Sequence, residues 1–227
     1  MPYIILIILL LALVFGPQWW AQWTFRRYAV ERDDIPGNGA ELAHHLLEKM
    51  NIDDVGVERT DRGDHYDPEA KMVRLSTANH DGCSLTAIAV AAHEVGHAIQ
   101  HHRKERMLER RTRLVRSAQW AQKIGAAMMF AIPVLTAITK VPQSGLLLFL
   151  AGLASMGIAT LVHLVTLPVE WDASFHKALP LISHGGYVNT RDQRAVKKIL
   201  RAAALTYVAA SLASLLNLAR WFRFFRR

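Results

Sequence analysis

Four stretches of the chain are apolar almost without interruption, and the segments between them alternate apolar and polar positions at helix or strand spacing. Ile4 to Phe15 is the first, followed by Trp19, Trp20 and Trp23 ahead of Arg26 and Arg27. A helix needs roughly 20 residues to cross about 30 Å of hydrocarbon, so the apolar run alone is short but the stretch 1–23 is long enough, with an aromatic band at one end. No basic segment precedes it and bulky residues stand where a cleavage site needs small ones, which predicts an uncleaved anchor. Ile124 to Thr139 and Val141 to Val169 predict a transmembrane hairpin over 118–169, kinked at Pro133. Small residues such as Gly145, Gly152 and Gly157 suit close helix contact there. Ala202 to Ala219 is diluted by Thr206, Ser211, Ser214 and Asn217, and 202–227 reads equally as a fourth span or a packed helix.

The polar parts are 24–117 and 170–201. Asn38-Gly-Ala-Glu41 is a capping-box start ahead of the helical pattern Leu42, Leu46, Leu47. Val55 to Arg59 and Lys71 to Leu75 are β-like, and Asp64-His-Tyr-Asp-Pro68 between them reads as a turn. From Leu85 to Gln100 the chain is Ala-rich and helical, with Ser84 as N-cap.

Charge adds an orientation. The 227 residues carry 27 Lys+Arg against 19 Asp+Glu, a net charge of +8, with 52% hydrophobic residues. Seven of the basic residues lie between Arg103 and Arg116, just before the second apolar run, and Lys177, Arg191, Arg194, Lys197, Lys198 and Arg201 follow the third. Basic residues beside spans mark the cytoplasmic side, so both polar parts are expected in the cytoplasm and nucleic acid is not needed as a partner. Arg220, Arg223, Arg226 and Arg227 disagree with a fourth crossing. The single cysteine, Cys83, excludes a disulfide framework and a Cys-only zinc site, and is expected to be a small buried residue.

The chemistry lies in His93-Glu-Val-Gly-His97. One helical turn separates the two histidines, about 6 Å along the axis, so both imidazoles can reach one ion. Glu94 faces the neighbouring sector, where it can take a proton from water without being a ligand. Chance would place this pattern in such a chain about 0.02 times. Gln100 and Arg103 stand where a metzincin has Gly and His, excluding that class. His101 and His102 lie too far along the helix to share the ion with His93, as do Glu105 and Glu109. Two membrane crossings would return Glu170 to the side of His97, making it the best third ligand, with Asp172 able to orient an imidazole or simply cap a helix.

Asp64-His-Tyr-Asp-Pro68, Val90-Ala-Ala-His-Glu-Val-Gly-His-Ala-Ile-Gln100 and Pro168-Val-Glu-Trp-Asp-Ala-Ser174 resemble the YugP-like family of bacterial membrane zinc metallopeptidases, over nearly the whole chain. The layout is also similar to membrane gluzincins related to HtpX and the CAAX prenyl protease, which carry Glu-x-x-x-Asp. Here Ser174 stands in place of that Asp. The resemblance implies a neutral zinc peptidase in a bacterial membrane.

The expected fold is therefore a mainly α integral membrane protein, with three or four transmembrane helices and a small α+β zincin-like cytoplasmic catalytic unit. The expected function is a zinc metalloendopeptidase in the bacterial inner membrane, acting on membrane or membrane-proximal polypeptides. His93, His97 and Glu170 would hold Zn2+, and Glu94 would be the general base. His176, His184 and Tyr187 are candidates to stabilise the oxyanion, and the strand Met72 to Leu75 could pair with substrate. His163, within the third span, is expected to face protein or water. A zinc hydrolase of non-peptide substrates, or a non-catalytic membrane scaffold, are the alternatives.

Overall fold

The computed structural model describes residues 2–139, 162 and 165–206. A long helix α1 (Pro2–Tyr28) leads into α2 (Gly39–Lys49), β1 (Gly56–Arg59), β2 (His65–Asp67), β3 (Met72–Leu75), α3 (Thr77–Asp81), α4 (Leu85–His102) and α5 (Arg106–Thr139). After the undescribed stretch come α6 (residues 165–172), a π-helical turn (Ala173–Ala178), α7 (Leu179–Gly185) and α8 (residues 193–206).

α2 starts where the capping box predicts. Asn38 Oδ1 accepts from the Glu41 amide at 2.9 Å, and the Glu41 carboxylate accepts from the Asn38 amide at 3.0 Å. Its stripe of Leu42, Ala43, Leu46 and Leu47 is buried. Ser84 caps α4, its hydroxyl accepting from the Ala87 amide at 3.1 Å. Leu85 through Gln100 are all buried, so α4 is the central helix, packed on every side. Around it lie α2, the sheet through Val73 and Leu75, and the C-terminal helices through Ala178, Ile182, Val196, Ile199 and Leu200.

The sheet order is β1-β3-β2, with β1 parallel to β3 and β2 antiparallel to it. On the central strand, Arg74 pairs with Glu58 of β1 and Asp67 of β2. The segment read as a turn is thus a three-residue strand with turn chemistry at both ends. Asp64 accepts from the Ser76 amide and hydroxyl and from Asn79, while Asp67 accepts from the amides of Glu69 and Ala70. Because β3 is paired on both sides, it cannot take a substrate strand as expected; β2 is an edge.

The expectation of an integral membrane protein with three or four transmembrane helices is overturned. Among the described residues, no helix is long and apolar enough to cross a membrane. In α1 the unbroken apolar stretch stops at Phe15, and the end of the helix is tied to the body: Ala21 and Thr24 are buried and the Phe25 carbonyl accepts from the Thr86 hydroxyl at 2.8 Å. Ile124 to Thr139 belongs to a 34-residue helix that begins in the basic run at Arg106. Of the third and fourth apolar runs, most lies outside the described residues. The described start of the fourth is core, with Ala202 and Ala204 buried. What the structure shows is an α+β unit, mainly helical, with one small three-stranded sheet.

Candidate metal centre

α4 sets His93 and His97 one turn apart, their ring centroids separated by 4.8 Å at an interplanar angle of 79°. α6 approaches from the opposite side and brings Glu170, 1% exposed, between them. Its Oε2 lies 3.2 Å from Nε2 of each histidine. One ligand atom from each of the three residues falls within 4.8 Å of the others, so the group could hold a metal ion. Gly96 makes this approach feasible: a Cβ there would stand 2.8 Å from the Ala173 carbonyl oxygen of the π turn.

The hydrogen bonds behind the rings assign their protons. Gln100 Nε2 donates to the Val169 carbonyl at 3.0 Å and to Asp172 Oδ2 at 2.8 Å, which uses both amide hydrogens and leaves Oε1 as an acceptor. That oxygen is 2.9 Å from His97 Nδ1, so His97 donates there. Ser174 donates its only hydroxyl hydrogen to the Leu200 carbonyl at 3.2 Å, so at 3.0 Å it accepts from His93 Nδ1. In the neutral imidazoles both Nε2 atoms therefore carry lone pairs, aimed at a carboxylate oxygen. Three electron-rich atoms in that arrangement need a positive charge among them, a metal ion or, without one, a proton on Nε2 shared with the carboxylate. The other Glu170 oxygen, Oε1, is buried without a hydrogen bond, and the Arg111 guanidinium is 3.7 Å away. Two imidazoles and a carboxylate form a donor set that suits Zn2+.

Electrostatics separates the two glutamates. Burial pushes the Glu94 carboxyl up to about 7; the charges of Glu170 and Asp64 add to this, while His93 and the Tyr66 amide oppose it. Burial acts on Glu170 in the same direction, but the neighbouring His97 and His93 outweigh it and hold its carboxyl below the usual range. Glu94, Glu170 and both histidines open onto one cleft of about 460 Å³, which Asp64, Tyr66 and Arg111 also line.

Several sequence candidates lie elsewhere. Asp172 orients no imidazole of the cluster directly; it binds Gln100, Lys177 and His176. His176, His184 and Tyr187 do not line the cleft. His184 Nδ1 donates to the Pro180 carbonyl, and Tyr187 packs edge-on against His45. His101 is hydrogen-bonded to the Tyr66 hydroxyl at 2.7 Å, Cys83 is half-buried, and His163 lies outside the described residues. Sequence reasoning missed Gln100 and Ser174 as partners of the histidines. Their spacing held a signal, since Gln100 is three residues from His97 and Ser174 four from Glu170, each on a shared helix face.

The family model described as "Putative neutral zinc metallopeptidase" matches residues 3–226. A relative from Bacillus subtilis (strain 168), named "Putative membrane protease YugP", is 37% identical over 227 residues, covering 99% of this chain and 97% of the relative. No solved structure matches the chain. A full-length match at this identity, together with a buried two-histidine, one-glutamate group, places the chain in the YugP-like family of neutral zinc metallopeptidases, with Zn2+ as its metal.

Proposed function

We propose that the chain is a zinc-dependent endopeptidase in which His93, His97 and Glu170 hold the metal and Glu94 is the general base. The observation that carries this reading is the convergence of α4 and α6: three buried donor atoms within 4.8 Å, with a fourth carboxyl, that of Glu94, opening onto the same cleft. When bound, Zn2+ supplies a water of lowered pKa and polarises the scissile carbonyl. Glu94, poised near neutrality by burial, takes the proton of the attacking water and returns it to the leaving amine. Gln100 and Ser174 keep both imidazoles in the tautomer that presents Nε2 to the metal. β2, the sheet edge beside the cleft, offers its backbone to an extended substrate in place of β3.

The substrate class is a polypeptide at or near a bacterial membrane. Support comes from the name of the Bacillus subtilis relative, a membrane protease, and from Trp19 and Trp23, both exposed on α1 just before Arg26 and Arg27.

The test is hydrolysis of an unfolded polypeptide by purified zinc-loaded protein, compared with Glu94→Gln. Cleavage is expected to fall by at least about 100-fold while zinc content stays at the wild-type level. Cleavage that survives Glu94→Gln would sink the assignment of the base, and Glu170→Ala with undiminished zinc would remove Glu170 from the ligand set.

A further inference from the structure

Of the basic run Arg103 to Arg116, Arg111 faces Glu170 in the metal cleft, and among the described residues no helix is long and apolar enough to be the crossing whose orientation the run was expected to record. Three other basic residues of the run, Lys104, Arg113 and Arg116, line a second cavity of about 740 Å³ beside the metal cleft. Tyr66, Pro68 and Leu108 line both spaces, so the two adjoin along one wall. β2 leads from one to the other: His65 lines only the metal cleft, Tyr66 lines both, and Lys71, past the end of the strand, lines only the second. A chain paired along the β2 edge, advancing about 3.3 Å per residue, would pass out of the metal cleft and into this groove.

Charge tells which side chains the groove favours. Lys71 is neutralised by Asp54 at 2.5 Å, Arg116 by Glu69 at 2.9 Å, and Glu105 by Lys177 at 3.0 Å. Among the described residues, the exposed cations Lys104 and Arg113 take part in no ion pair, and Glu109 is the one lining carboxylate that is likewise unpaired. The surplus is positive. We propose that this groove holds the polypeptide substrate on one side of the scissile bond and selects acidic side chains there, through Lys104 and Arg113. The proposal rests on the peptidase reading above and gives it a substrate preference.

The experiment measures binding, so it does not depend on turnover. Three fluorescein-labelled peptides of equal length, identical around the central bond and carrying Glu, Gln or Lys in the flanks, are titrated with zinc-loaded Glu94→Gln protein and followed by anisotropy. The acidic peptide is expected to bind about 5-fold tighter than the neutral one at low salt, with the gap closing at high salt. Adding Lys104→Glu and Arg113→Glu should reverse the order of the acidic and basic peptides, with unchanged zinc content showing that the fold is intact. If that combination does not fold, Lys104→Gln and Arg113→Gln separately should each reduce the preference. Equal affinities for the three peptides, or an unchanged order in the variants, would overturn the proposal. So would tight, Lys104-dependent and Arg113-dependent retention on phosphatidylglycerol vesicles without peptide discrimination, which would assign the charge to a lipid surface. Should the acidic peptide bind as expected yet resist zinc-dependent hydrolysis by the wild type, the groove stands and the peptidase reading falls.

Discussion

Gln100 Oε1 lies 2.9 Å from His97 Nδ1, while the amide nitrogen of the same side chain is held by the Val169 carbonyl and Asp172. One residue thus connects the motif helix α4 to α6, the helix that carries Glu170. Gln100→Ala should weaken zinc binding by roughly 10- to 100-fold, the usual cost of losing the partner behind a metal-binding imidazole. Gln100→Glu should be little better, since a carboxylate oxygen would then face the Val169 carbonyl and Asp172. Competition against a fluorescent chelator measures both.

Ser174 performs the corresponding task for His93, and being fully buried it has no water to replace it. Ser174→Ala should lower zinc affinity about tenfold and leave the buried His93 Nδ1 donor without an acceptor. Added to Gln100→Ala, the loss should exceed that of either change alone, because the two residues act on different imidazoles. Zinc titration of the three variants decides this.

In the metal-free protein Glu94 makes stability depend on pH. Its carboxyl is raised from 4.5 to about 7 in the fold, so between these values the folded chain keeps a proton that the unfolded chain has released. Stability is therefore full below about pH 4.5 and declines as pH rises toward 7, by about 3 kcal/mol at most from this residue. Urea unfolding of chelator-treated protein at pH 5 and pH 7.5 should show this loss, and Glu94→Gln should flatten it.

Gly96→Ala tests the closeness of the two helical elements. The added methyl meets a backbone oxygen rather than a flexible side chain, so the π turn must move away. Thermal stability should fall by about 1–3 kcal/mol, with a parallel drop in zinc affinity. A melting curve with and without zinc separates the two effects.

The parts that were legible in the sequence are those with local causes. His93 and His97 share a face because they are one turn apart, Ser84 and Asn38 cap helices through residues three positions away, and Glu94 borders the histidine by adjacency. β2 escaped because three residues are too few to show a period and its ends carry turn residues. The reading of transmembrane spans failed for a related reason: apolar length was taken as a span, yet α1 ends with Ala21 and Thr24 buried against the body, and the run from Ile124 continues a helix that starts among basic residues, while Ala202 and Ala204 fall to the packed-helix alternative. Glu170 was singled out by counting membrane crossings, whereas in the structure α6 and the π turn, packed on Gly96, bring it to the histidines. No periodicity announces a π turn, which is why Ser174 looked like a departure from a pattern instead of a partner for His93.

The π turn has one more effect. Glu170, Ser174, Ala178 and Ile182 are all at most 1% exposed, and they recur at intervals of four residues. On an unbroken α-helix twelve residues turn through three circles and about 120° more, so Ile182 would swing well away from the side that Glu170 faces. The wider π turn takes up that drift and keeps all four residues on the side facing α4. The helix is in effect geared, so that a single rotation aims a carboxylate at one end and seats a core residue at the other. Removing one residue between Ala173 and Ala178 would strip that gear, leaving the segment able to satisfy the centre or the core but not both.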